Sequence, residues 1–111
     1  VSPDAVLDSW IAAFNAADAD ALAALYAEDA TNFQVALEPV TGREAIRAMF
    51  AAEFAAADMR CIVENRLSDG DWVAMEWRDP GGLRGCGFFE IRDGLIRMQR
   101  GYWDRLSAQG G

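Results

Sequence analysis

Histidine and lysine are both missing from this 111-residue chain, and its ten basic side chains are all arginine. Their absence removes Schiff-base chemistry, the commonest general base, histidine-activated nucleophiles and most zinc sites. Any catalysis must rest on carboxylates, arginine, tyrosine, amides, water or a thiol. Cysteine is scarce as well. Cys61 and Cys86 fall in separate segments of strand character, a spacing that gives neither a metal knuckle nor a redox pair, so both read as buried thiols. No cofactor and no metal site are expected. Nor is there an apolar run approaching the ~18 residues that cross a bilayer, so no membrane partner is expected. The segment Val1 to Ala13 carries neither a basic leader nor a small-residue cleavage site, which leads to the expectation of a cytoplasmic protein.

Acids outnumber arginines, 18 to 10, for a net charge of −8. The acids are scattered and no basic stripe is available to neutralise phosphates, so nucleic acid is not an expected partner. With 52% hydrophobic and 25% charged residues, the composition suits an ordinary globular domain rather than a disordered chain. One core and a single domain over residues 1–111 follow from the length and from the lack of any repeat, linker or low-complexity stretch.

Ser2 as N-cap with Pro3 after it opens a helix whose apolar residues Val6, Leu7, Trp10, Ile11 and Phe14 recur at three and four, ending near Ala16. Asp18 caps a second helix carrying Leu22, Leu25 and Tyr26, which the acids Glu28 and Asp29 stop. From Ala30 to Val35 the period changes to two, with Thr31, Phe33 and Val35 on one face and Asn32 and Gln34 on the other, the mark of a short strand. Thr41 and Glu44 read as a capping box for a third helix, with Ala45, Ile46, Met49, Phe50 and Phe54 along one side and an end near Ala57. Four strand-like segments follow, at about 59–67, 72–79, 83–92 and 95–104. Asp69-Gly70, Pro80-Gly81-Gly82 and Asp93-Gly94 separate them, turn chemistry that joins antiparallel neighbours in a meander. The predicted order is α-α-β-α-β-β-β-β, an α+β fold. Three helices cannot cover both faces of such a sheet, so they belong on one face, leaving the other for solvent or a second subunit.

The stretches WIAAFNAAD (10–18), LYAEDAT (25–31), TGREAIRAMF (41–50) and DGLIRMQRGYWD (93–104), in this order and spacing, resemble the nuclear transport factor 2-like superfamily. Within it the likeness is to the group of SnoaL-like, ketosteroid isomerase-like and limonene epoxide hydrolase-like proteins. The resemblance implies a cone-shaped α+β barrel, three helices packed on a curved antiparallel sheet, with a pocket between them and frequent dimerisation through the sheet's outer face. Strand parity groups Val73, Met75, Trp77 and Asp79; Gly85, Gly87, Phe89 and Ile91; and Gln99, Gly101 and Trp103. The resemblance makes these the inner sets, joined by Asn32, Gln34, Trp10 and Phe14. The expected ligand is a small apolar or aromatic molecule, bound by Trp10, Phe14, Asn32, Gln34, Trp77, Gly87, Phe89, Gln99 and Trp103. A homodimer is expected from the same likeness and from Ile96, Met98 and Tyr102 sharing one strand face.

The catalytic sets of these relatives are largely missing. For steroid isomerisation the resemblance places the base at Gln34, the tyrosine at Trp10 and the aspartic acid at Gly87, none of which can do that work. For epoxide hydrolysis it places the water-holding groups at Asn32 and Gln34 and one carboxylate at Asp79, while Trp77 replaces the bridging arginine and Gly101 the second acid. Asp104 has the opposite parity. Asp79 is therefore the one catalytic candidate, although Asp before Pro-Gly-Gly also reads as an ordinary turn residue. Asn32 and Gln34 read either as pocket donors or as solvent-facing strand positions, and the tryptophans either as ligand wall or as plain core. Tyr26 and Tyr102 could donate a phenol or simply pack, and Arg78 and Arg100 belong to the outer face. Gly85 and Gly87 signal a bulge or a close approach. Three functions stay open: a hydrolase, a cyclase or isomerase using Asp79, and a non-enzymatic binding or assembly module whose cone is filled by its own side chains.

Overall fold

A computed structural model describes residues 1–34, 37–104 and 106 of the chain. The elements run α1 (Pro3–Asn15), α2 (Ala19–Ala23), β1 (Tyr26–Gln34), β2 (Val40–Thr41), α3 (Arg43–Ala56), β3 (Ile62–Asp69), β4 (Trp72–Arg78), β5 (Arg84–Arg92) and β6 (Leu95–Trp103). The expected α+β cone is present, with helices on one face of a curved, open six-stranded sheet of order β2-β1-β6-β5-β4-β3.

Local chemistry explains most of the elements. Ser2 Oγ accepts from the Ala5 amide at 3.1 Å and Pro3 fills the first turn of α1, where its missing N–H costs nothing. Asp18 Oδ1 caps α2 through the Ala21 amide. Val6, Leu7, Trp10, Ala13 and Phe14 bury one face of α1, while Ile46 and Phe50 anchor α3. The meander β3 to β6 is antiparallel throughout. Its turns carry positive φ at Gly70, Gly82, Asp93 and Gly94, the positions at which turn-forming residues were expected.

Several expectations need correction. The sheet is mixed rather than antiparallel, because β1 lies parallel to β6, pairing Asn32 with Gln99 and Gln34 with Gly101. That contact joins strands far apart in sequence, and no turn signature marks it. The second helix stops at Ala23, so Tyr26 to Asp29 belong to β1 rather than to a helix end. An irregularity between Tyr26 and Thr31 breaks the period-two pattern there, which is why the strand seemed to begin at Ala30. Val35, its expected last residue, lies outside the described residues. Thr41 is not an N-cap: it ends the short strand β2, its Oγ1 lies 3.3 Å from Thr31 Oγ1, and Gly42 at φ 101° opens α3 with no side-chain cap. Residues 59–61 precede β3 instead of forming its start.

Ile96 was expected on the outer face and is fully buried on the inner one. The β5–β6 register steps from Glu90 opposite Met98 to Ile91 opposite Ile96, so Arg97 is an extra residue that reverses the parity. Cys86, expected buried, is only half-buried on the outer side, across from Tyr102.

Candidate functional site

Between α1, α3 and the inner sheet face lies a cavity of about 320 Å³, at the lower end of the range for small-molecule sites. Trp10 and Phe14 of α1 stack at 5.0 Å between ring centroids and 12° between planes, and Phe50 of α3 meets both edge-on at 6.3 Å. Met75, Trp77, Gly87 and Gly101 of the sheet face them. The exposed members of the lining, Ala57, Asp58, Arg60 and Trp103, mark the mouth. Asn15 at the end of α1 pins this rim from inside. Its Nδ2 donates to the Cys61 carbonyl at 3.0 Å, and its Oδ1 accepts from the Cys61 amide at 2.7 Å.

A chain of polar side chains closes the base. Trp10 Nε1–H donates to the Tyr26 hydroxyl at 2.9 Å, and that hydroxyl donates to Gln99 Oε1. Asn32 Nδ2 donates to the same oxygen at 3.1 Å, and Gln34 Nε2 donates to Asn32 Oδ1 at 2.7 Å. An indole can only donate, so the Tyr26 oxygen accepts there and its proton goes to Gln99, which fixes how the amide is turned. Gln99 Nε2 and Gln34 Oε1 are left with no bond to a described residue. Gln99 is 5% exposed and lines the cavity, so its N–H groups are the donors available at the base. Burial holds the Tyr26 phenol well above its ordinary range; the Trp10 hydrogen bond opposes the shift and the charge of Glu53 adds to it.

Among the expected site residues, Trp10, Phe14, Gln34, Trp77, Asp79, Gly87, Gln99 and Trp103 all line this one cavity. Asn32 and Phe89 do not. Asn32 is fully buried between Gln34 and Gln99. Phe89 lies behind Gly87, a ring edge 3.4 Å from where a Cβ would stand, and supports Trp10 at 5.3 Å. Their inward parity was right, but neighbouring side chains come between them and the void. At Gly85 and Gly87 the β4–β5 register is continuous, so the glycines mark close approach and not a bulge. A Cβ on Gly85 would strike the Trp77 indole and the Tyr102 carbonyl, and one on Gly101 would strike the Gln34 amide.

Asp79 is a turn residue that also stands at the cavity. Its Oδ1 accepts from the Leu83 amide at 2.9 Å, closing the β4–β5 turn, while the residue also stands in the cavity lining. Asp104 pairs with Arg84 at 2.9 Å and lies outside the lining, as its parity implied. Arg78 pairs with Glu64 and Arg100 lies over the Phe33 ring, both on the outer face.

Several lining residues had not been anticipated, Cys61 and Glu53 among them. Cys61, from the segment before β3, has its thiol pushed up to about 11 by burial. Glu53 of α3 has its carboxyl pushed upward by desolvation. The signal for Glu53 was present: it follows Phe50 by three and Met49 by four, which sets a carboxylate on the apolar stripe of α3. A larger, more open depression of about 560 Å³ lies on the outer side, lined by Glu64, Glu76, Arg84, Cys86, Tyr102 and Asp104 among others. Most of its lining side chains are polar or charged, with Tyr102 and Trp103 as its aromatic members.

Helices laid over an open, curved sheet around an aromatic cavity make up a nuclear transport factor 2-like fold. A family model for the SnoaL-like domain matches residues 7–98, and the chain belongs to that family. Among solved structures, an LEH-like epoxide hydrolase of M. tuberculosis is similar with a TM-score of 0.84 at 22% identity, over 97% of this chain and 86% of that one. A SnoaL-like protein of unknown function from Burkholderia thailandensis gives 0.82 at 20% identity, covering 91% and 93%. An uncharacterized cystatin-fold protein from Novosphingobium aromaticivorans gives 0.82 at 19%, covering 92% and 98%. At such identities the likeness is one of fold. No functionally curated protein matches the chain.

Proposed function

We propose that this protein binds a small apolar or aromatic molecule in the cavity between α1, α3 and the sheet, and that Asp79 serves as acid or base toward a ligand reaching the mouth. The observation that carries the reading is the cavity itself. Seven of the nine residues expected to bind, together with Asp79, converge on one void, aromatic in its walls, with the Gln99 amide nitrogen, which bonds no described residue, at its base. The cavity supports this reading over the alternative of a module whose cone is filled by its own side chains.

The Gly87→Phe variant tests the binding site, because Gly87 faces the void and a large side chain there would occupy it. Titration with 2-naphthol, followed by fluorescence, is expected to show saturable binding to the parent protein and none to the variant, with circular dichroism unchanged. Equal affinity for both would move the binding site elsewhere. Turnover of epoxides and enolisable ketones by Asp79→Asn tests the chemistry, and rates equal to those of the parent would remove Asp79 as acid or base.

The reading extends to a homodimer through the outer face of the sheet. Trp72, Phe88 and Tyr102 are 38%, 41% and 42% exposed there, and Phe88 meets Tyr102 edge-on at 6.2 Å. Aromatic area of this extent on one sheet face is what a partner would cover.

A further inference from the structure

We infer that the ligand of this cavity is a cation, a tertiary or quaternary organic ammonium with apolar or aromatic substituents, held by the aromatic rings of the cavity with Glu53 as its counter-ion. The inference rests on the cavity being a binding site and names the class of molecule it takes.

Charge gives the first argument. Glu53, Asp58 and Asp79 line the cavity against a single guanidinium, Arg60. Three carboxylates against one cation leave the wall negative in a chain that itself carries −8, and a low-dielectric cleft lined by one sign concentrates that potential. Arg60 is exposed at the rim, where solvent screens it, whereas Glu53 is drawn further into the wall.

Glu53 gives the second. Its carboxylate has no hydrogen bond or ion pair with any described residue, and desolvation already penalises its charged form. A neutral ligand seated beside it would strip away more water and raise that penalty, while a cation offsets it. The rings then decide the kind of cation. Trp10, Phe14, Phe50, Trp77 and Trp103 all line the cavity, and aromatic rings attract ammonium groups whose charge is spread over C–H bonds. A primary ammonium needs three acceptors, whereas the polar chain at the base turns donors toward the void at Gln99. An alkylated ammonium needs no such set.

The test compares phenyltrimethylammonium with tert-butylbenzene, the same shape without the charge, by fluorescence titration of the intact protein. The expected result is binding of the cation at least about tenfold tighter than the hydrocarbon. In Glu53→Gln that preference should fall to near unity, with hydrocarbon affinity kept or improved. Hydrocarbon binding as tight as cation binding in the parent protein would overturn the cation and leave the cavity standing. A preference that persists in Glu53→Gln would overturn Glu53 as the counter-ion. Saturable binding of neither compound, together with failure of 2-naphthol, would overturn the cavity reading itself.

Discussion

At the scale of single residues, two groups carry most of the site's energetics, and they behave in opposite ways. Tyr26 is fully buried yet satisfied, accepting from Trp10 and donating to Gln99, so its hydroxyl costs the fold little. Glu53 lines the cavity with no partner for its carboxylate among the described residues, and burial holds that carboxyl above the ordinary range. Because the folded-state pKa lies above the unfolded one, folding favours the protonated form. The charged form costs nothing below the unfolded pKa, and its cost grows as pH rises through the folded value. Glu53→Gln should therefore melt at the parent's temperature near pH ~3 and above it near pH ~8, as thermal denaturation monitored by circular dichroism would show. Desolvation is the cause of the shift, and the neighbouring Asp58, Arg60 and Asp79 of the cavity wall do not set its direction. A residue whose removal stabilises the protein while weakening its ligand is what a binding group looks like.

At the scale of elements, the inner face of the sheet depends on three glycines that leave room for larger neighbours. Trp77 crosses over Gly85 and Gln34 leans over Gly101, whereas a Cβ on Gly87 would meet the Phe89 ring edge and the Arg100 carbonyl at ordinary contact distances. Gly85→Ala should therefore cost about 1–3 kcal/mol through overpacking, and Gly87→Ala much less, the difference being read from urea denaturation midpoints. The same strands show what the sequence could and could not reveal. The β3–β6 meander was legible because each of its turns carries its own chemistry, Asp69-Gly70, Pro80-Gly81-Gly82 and Asp93-Gly94, next to the strands it joins. The parallel pairing of β1 with β6 was not, since nothing near Tyr26 or Leu95 encodes a partner so far away. Counting by twos along β6 placed Gln99, Gly101 and Trp103 correctly and failed at Ile96, because Arg97 inserts one residue between them. At the site, alternation found Gln34 and Gln99, and the resemblance supplied which face was inward. Tyr26 was missed because the start of β1 read as a helix end, and Glu53 because the apolar stripe of α3 was read for its hydrophobic members alone.

At the scale of the whole molecule, three helices on one side leave the other side of the sheet uncovered, and the proposed homodimer follows from what is exposed there. Trp72 of β4, Phe88 of β5 and Tyr102 of β6 stand out from successive strands, and in a second copy related by a two-fold axis the same rings would meet in an isologous patch. Charge works against that association. Each chain carries −8, so two copies repel over a range of about 10 Å at ~0.1 M salt and further as salt is lowered. The apolar contact does not weaken with added salt, so dimerisation should tighten as ionic strength rises, unlike an interface held by ion pairs. Sedimentation equilibrium of the parent protein at micromolar concentration is expected to show a dimer whose dissociation constant falls with salt. Phe88→Glu, which sets two further carboxylates into the patch, should sediment as a folded monomer at every salt concentration. A parent protein that is monomeric throughout would leave the rings of the outer face without that partner. A dimer unaffected by Phe88→Glu would place the contact on another surface, with the helices and the cavity mouth as the faces then to be examined.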